Sequence, residues 1–130
     1  MGLEHNSGEH FGEALRRRTK AFAFEILELC RRLPGSEEAR IVGKQLLRAG
    51  LSVGANYRAV SRARSNAEFI SKINVVIEET DETLFWLETL CEKKIVDESE
   101  TKALLREGNE LLRILVTSQR TAKKTRGRPY

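Results

Sequence analysis

In four separate stretches of this 130-residue chain, apolar residues recur three, four or seven apart, and no stretch alternates with the two-residue period of a strand. The first stripe runs Leu15, Phe22, Ile26, Leu29, Leu33, and the second Val42, Leu46, Ala49, Val53, Tyr57, Val60. A third holds Phe69, Ile73, Val76, Thr80, Leu84, Leu87 and Cys91, and a fourth Leu104, Gly108, Leu111 and Leu115. Helix punctuation falls between them. Pro34-Gly35 stops the first helix, and Ser36 with Glu37 and Glu38 opens the second with a cap and charges that suit the dipole. Ser65-Asn66-Ala67-Glu68 has the spacing of a capping box, and Asp97-Glu98-Ser99-Glu100 repeats it more loosely. Four long helices with short loops predict an all-α, up-down-up-down antiparallel four-helix bundle. The reading divides the chain into a flexible segment at 1–10, a bundle at 11–119 and a basic flexible tail at 120–130.

The composition agrees: 40% hydrophobic, 32% charged, 6% aromatic and two prolines favour helices, and the length fits one domain. Cys30 and Cys91 stand alone, nothing resembles a signal peptide, and no apolar run approaches the roughly 20 residues of a membrane span. A cytoplasmic protein with reduced cysteines is expected. His5 and His10 are the only histidines, which removes the commonest general base and the Glu-x-x-His pairs of a di-iron bundle. The run Glu78, Glu79, Asp81, Glu82 therefore reads as a solvated or salt-bridging face. With no phosphate loop, zinc spacing or Ser-His-Asp set, we expect no catalytic residue, metal or cofactor.

Two features point to self-assembly. Gly43, Gly50 and Gly54 share a side of helix two, and each mid-helix glycine costs about 0.5–1 kcal/mol relative to alanine. A partner backbone approaching closely at Gly50 and Gly54 would account for them; a locally weak helix is the alternative. Helices three and four are also apolar beyond one stripe, with Ile70 and Ile77 flanking one, and Leu105, Leu112 and Val116 flanking the other. Asn56, beside the core stripe, reads as a register-fixing polar residue or a ligand contact.

Charge is unevenly distributed. Twelve cations face seven acids over residues 1–64, three face ten over 65–100, and eight face two over 101–130. At about 100° per residue, Arg40, Lys44, Arg48, Arg58 and Arg62 fall within a sector of about 80°. Such a stripe can follow the phosphates of a nucleic acid, or it can pair with the acids of helix three. Lys123, Lys124, Arg126 and Arg128 make the tail a basic arm suited to polyanions or simply to solubility. Together these point to RNA more than DNA, read by shape and phosphates, since Tyr57 and Trp86 lie near apolar stripes and leave no stacking platform.

The run Gln45-Leu46-Leu47-Arg48-Ala49-Gly50-Leu51-Ser52-Val53-Gly54-Ala55-Asn56, then Arg62 and Glu68-Phe69, resembles the bacterial four helix bundle protein family. This family is also called the intervening-sequence protein family, after genes inside insertions in large-subunit ribosomal RNA. The segment from Ala21-Phe22 to Leu33-Pro34 matches too, and the similarity covers most of residues 15–117. Where the family continues Asn-Ile-x-Glu-Gly, this chain reads Asn56-Tyr57-Arg58-Ala59-Val60, which should lengthen helix two. The family resembles in fold the accessory variability determinant of diversity-generating retroelements. That resemblance implies a barrel-like homopentamer, with nucleic acid and a reverse transcriptase as candidate partners.

Overall fold

Helix α1 spans Ser7–Arg31, α2 Glu37–Val60, α3 Asn66–Glu92 and α4 Glu98–Arg126. This computed structural model describes residues 7–126, with side chains from 11 to 125, and contains no strand among them. The predicted starts hold in detail. Ser36 Oγ accepts the Ala39 amide at 3.2 Å, and Ser65 Oγ accepts that of Glu68 at 3.0 Å. Glu68 in return takes the Arg64 amide at 2.7 Å, one residue before the cap. Asp97 accepts both the Ser99 amide and its hydroxyl, which holds the Asp97 carboxyl below its usual range.

Lys94 adopts φ 57° just past α3, while the Ile95 amide reaches Leu90 O at 2.9 Å and the Lys94 amide reaches Cys91 O at 3.1 Å. This is the left-handed helix stop usually given to glycine.

Both outer boundaries differ from the sequence reading. α1 starts at Ser7 instead of Phe11, and residues 1–6 lie outside the described residues. α4 runs through Arg126 instead of ending at 119, because nothing between Arg120 and Arg126 breaks a helix and the segment has a partner. Ala122 is buried, and its carbonyl accepts the Asn66 side-chain amide at 2.8 Å. Lys123, Lys124 and Arg126 thus stand on a helix and not in a flexible arm.

Each neighbouring pair is antiparallel. The start of α3 meets the end of α4 at Asn66 and Ala122, and the end of α1 meets the start of α4 at Arg32 and Glu100, 3.3 Å apart. Phe22, Ile26, Leu46, Val53, Ile73, Leu87, Leu111 and Leu115 fill the core between the helices. α1 and α4 meet most sparsely, and Arg18 bridges them with paired bonds of 2.8 and 3.1 Å to Glu107 and a further bond to Glu110.

Gly50 and Gly54 are explained inside the subunit, which corrects their assignment to an oligomer interface. A Cβ on Gly50 would lie 2.7 Å from Ile26 Cγ2; one on Gly54 would lie 3.2 Å from Ala23 Cβ and 3.4 Å from Lys20 Cα. The approaching backbone is that of α1 in the same chain. Part of the apolar width of α3 and α4 is absorbed likewise. Ile70 is only 8% exposed, and Ile77 and Leu105 pack against the core, whereas Leu112 is half-buried. Asn56 donates to Ser52 O at 2.9 Å, within its own helix.

Candidate nucleic-acid interface

The cationic stripe does not act as one unit. Arg40 and Arg58 are 18 residues apart, about 27 Å along the axis at about 1.5 Å per residue. Arg40 lies 4.0 Å from Glu37 on its own helix. Arg48, midway, binds Glu82 directly and has Glu79 at 3.6 Å, so α3 of the same chain occupies it. Arg62 falls beyond α2, in the turn that follows the Ser61 cap. Lys44, Arg58 and Arg62 make no salt bridge among the described residues.

The Arg48 cluster has its own electrostatics. Hydrogen bonds from Arg48, then from the Trp86 indole, hold the Glu82 carboxyl below its usual range, and Glu82 in turn raises Arg48. Burial pushes Glu79 up, despite the guanidinium nearby. Its Oε1 has no hydrogen-bond partner, since 3.6 Å is too long for one. This cluster is structural.

A different set of cations comes together at the end of the bundle made by the start of α1, the α2–α3 turn and the end of α4. Gly12 and Glu13 line one surface depression there with Tyr57, Arg64 and Asn66, and Asn66 ties in the end of α4. Arg16, Arg17, Arg58, Arg62, Arg64, Arg120, Lys123 and Lys124 belong to this end, and Lys20 stands midway along α1. Among the described side chains, Glu13 and Glu68 are paired to Arg16 and Arg64, and Glu107 and Glu110, at the level of α1 next to this end, are both held by Arg18. At the other end the two signs occur in about equal measure, Glu37, Glu38, Asp97, Glu98 and Glu100 standing among Arg31, Arg32, Arg40, Lys93 and Lys94.

From the cationic end a groove of about 440 Å³ runs between α1 and α2. Ala23, Phe24, Leu51, Gly54 and Ala55 supply its apolar surface, and Arg16, Arg17, Lys20 and Arg58 its rim; no acid lines it. Phe24 is 52% exposed, and Lys20 Nζ sits 5.6 Å from its ring centroid. The sequence reading missed this α1 surface. Its signal was Arg17, Lys20 and Phe24, three and four apart and off the core stripe of the same helix. Tyr57 is buried and Trp86 half-buried, as their places near the stripes imply, whereas Phe24 is an exposed ring that the sequence reading did not weigh.

No described helix is long and apolar enough to cross a membrane, and no group of three His, Cys, Asp or Glu among the described residues could hold a metal. Cys30 donates weakly to Gly43 O, and burial pushes its thiol up to about 11. That keeps it an unreactive thiol. Arg128 lies outside the described residues, as does the side chain of Arg126.

The model of the 23S rRNA-intervening sequence protein family matches residues 14–117. The chain belongs to that family. It is also similar to a solved structure from Bacteroides thetaiotaomicron VPI-5482, described as a protein with unknown function from the S23 ribosomal protein family. The two are 28% identical with a TM-score of 0.77, over 84% of this chain and 97% of that one. No curated protein matches. The matched family segment takes in α2 and α3 whole and most of α1 and α4, including the α1–α2 groove, and stops short of Arg120, Lys123 and Lys124.

Proposed function

We propose that this member of the family is a non-enzymatic, homo-oligomeric accessory protein of the cytoplasm that binds nucleic acid, RNA more than DNA. Its partner would be an RNA or a ribonucleoprotein, a reverse-transcriptase complex included. The observation that carries the reading is the cationic end, continued along a groove without acids. Cations held there by α1, α2, the α2–α3 turn and α4 neutralise successive phosphates without ordering a flexible chain first. Arg17, Lys20, Arg58, Arg62, Lys123 and Lys124 contribute most on this reading. Arg48 contributes little, because Glu82 already holds it.

For assembly, a barrel-like pentamer is the proposed state. Val75 and Phe85 are exposed on α3 and Leu112 is half-buried on α4, which leaves apolar surface for a neighbouring copy to cover. A second reading, a scaffold that binds no nucleic acid, draws on Arg48, whose partners are the acids of α3.

Fluorescence anisotropy of a labelled RNA decides between them. Binding at about 50 mM salt that collapses by about 200 mM supports the first reading. No binding at the lower salt leaves the scaffold.

A further inference from the structure

Resting on the nucleic-acid reading, we propose that the α1–α2 groove takes a single-stranded segment, with one base lying on the Phe24 ring and the flanking phosphates on Arg17, Lys20 and Arg58. α1 carries Phe22 and Phe24 two residues apart; the first is 1% exposed in the core, the second 52% exposed in the groove. Burying a side chain of this size is worth about 1.5–3 kcal/mol, and here about half of that gain is left unused. Lys20 Nζ stands over the ring, 5.6 Å from its centroid, so a base on that face displaces the ammonium towards the phosphate beside it.

The floor beside the ring is made of small residues. Ala23, Gly54 and Ala55 keep it low, and it is closed underneath: even a Cβ at Gly54 would lie 3.2 Å from Ala23. A ligand must therefore lie along the groove and not enter the core. The space of about 440 Å³ falls within the range of about 300–1,000 Å³ that small ligands occupy. A paired duplex offers only phosphates and groove edges to such a surface, because its base faces are stacked on each other. An unpaired strand offers the face of a base together with the phosphates beside it. An apolar ring within a rim of cations matches that combination.

The test is anisotropy on the full chain with three probes of about ten nucleotides, a uridine strand, its deoxy counterpart and a blunt duplex. Phe24→Ala should weaken the single strand by about five- to 150-fold, the range found for base–aromatic stacking, and leave the duplex unchanged. The salt slope should stay the same, since no charge is lost, and Phe24→Tyr should keep the affinity. The ribose and deoxyribose strands report which sugar the groove takes. Equal single-strand affinity for wild type and Phe24→Ala overturns the proposal while leaving nucleic-acid binding in place. A smaller assembly for Phe24→Ala in sedimentation also overturns it, because a second copy then covers the ring. Wild type that binds none of the probes overturns both this proposal and the reading on which it rests.

Discussion

Substituting Gly50 by alanine tests whether the glycines of α2 serve the approach of α1. In an open helix the change would gain about 0.5–1 kcal/mol, since glycine is the poorer helix former. Here the new methyl would lie 2.7 Å from Ile26 Cγ2 and 3.0 Å from both Ile26 Cβ and Cγ1. Ile26 is fully buried and β-branched, so it has no free rotamer to retreat into. Overpacking of this kind costs about 1–3 kcal/mol, which at mid-range exceeds the propensity gain and leaves a net loss of about 1 kcal/mol. Gly43 provides the control. Its nearest neighbour would be Leu33 Cδ1 at 2.6 Å, the far end of a half-buried side chain beyond the end of α1, which can swing aside. Gly43→Ala should therefore be neutral or stabilising. Urea unfolding at one fixed protein concentration reads both variants; the fixed concentration keeps any assembly from shifting the comparison. A Gly50→Ala variant as stable as wild type would refute the close-approach account. So would a Gly43→Ala variant that loses more than Gly50→Ala.

Four further outcomes can be measured on the same protein. Glu82 has a lowered folded pKa, so its contribution is present above the ordinary carboxylate range and is lost as pH falls through the folded value. Glu82→Gln should thus be less stable than wild type at neutral pH, with the gap closing in acid. Glu79 is raised by burial, so its charge disfavours folding as pH rises; Glu79→Gln should be more stable at neutral pH and equal to wild type in acid, in the same pH-dependent unfolding series. Lys94→Gly should relieve the left-handed stop after α3 and add about 0.5–1 kcal/mol, read as an upward shift in Tm. Sedimentation at micromolar concentration should find an assembly, and Leu112→Asp should reduce its mass; a monomeric wild type would end the oligomer proposal.

The helices and their starts were legible because each rests on local chemistry. Ser36 and Ser65 cap the helices they precede, and the four stripes name nearly all of the core. The candidate site was less legible, because it depends on which helix lies beside which. A helical wheel of α2 alone groups Arg48 with Arg58, but α3 takes Arg48 and α1 stands beside Arg58. The glycines misled in the same way: their spacing signals a close partner without saying that the partner is α1 of the same chain. Composition marked the segment from Arg120 as a free arm, although its contact with Asn66 continues the helix.

The central claim is that the cations of the α1–α2 side, and not the full stripe of α2, meet phosphates. It is tested most directly by the salt dependence of RNA affinity in Arg58→Ala and Arg48→Ala, measured side by side with wild type. Arg58→Ala should flatten the slope by about 0.7–0.9 of a unit, the share of one neutralised phosphate, while Arg48→Ala leaves the slope unchanged. Equal flattening by both variants, or a slope that neither alters, would contradict the account.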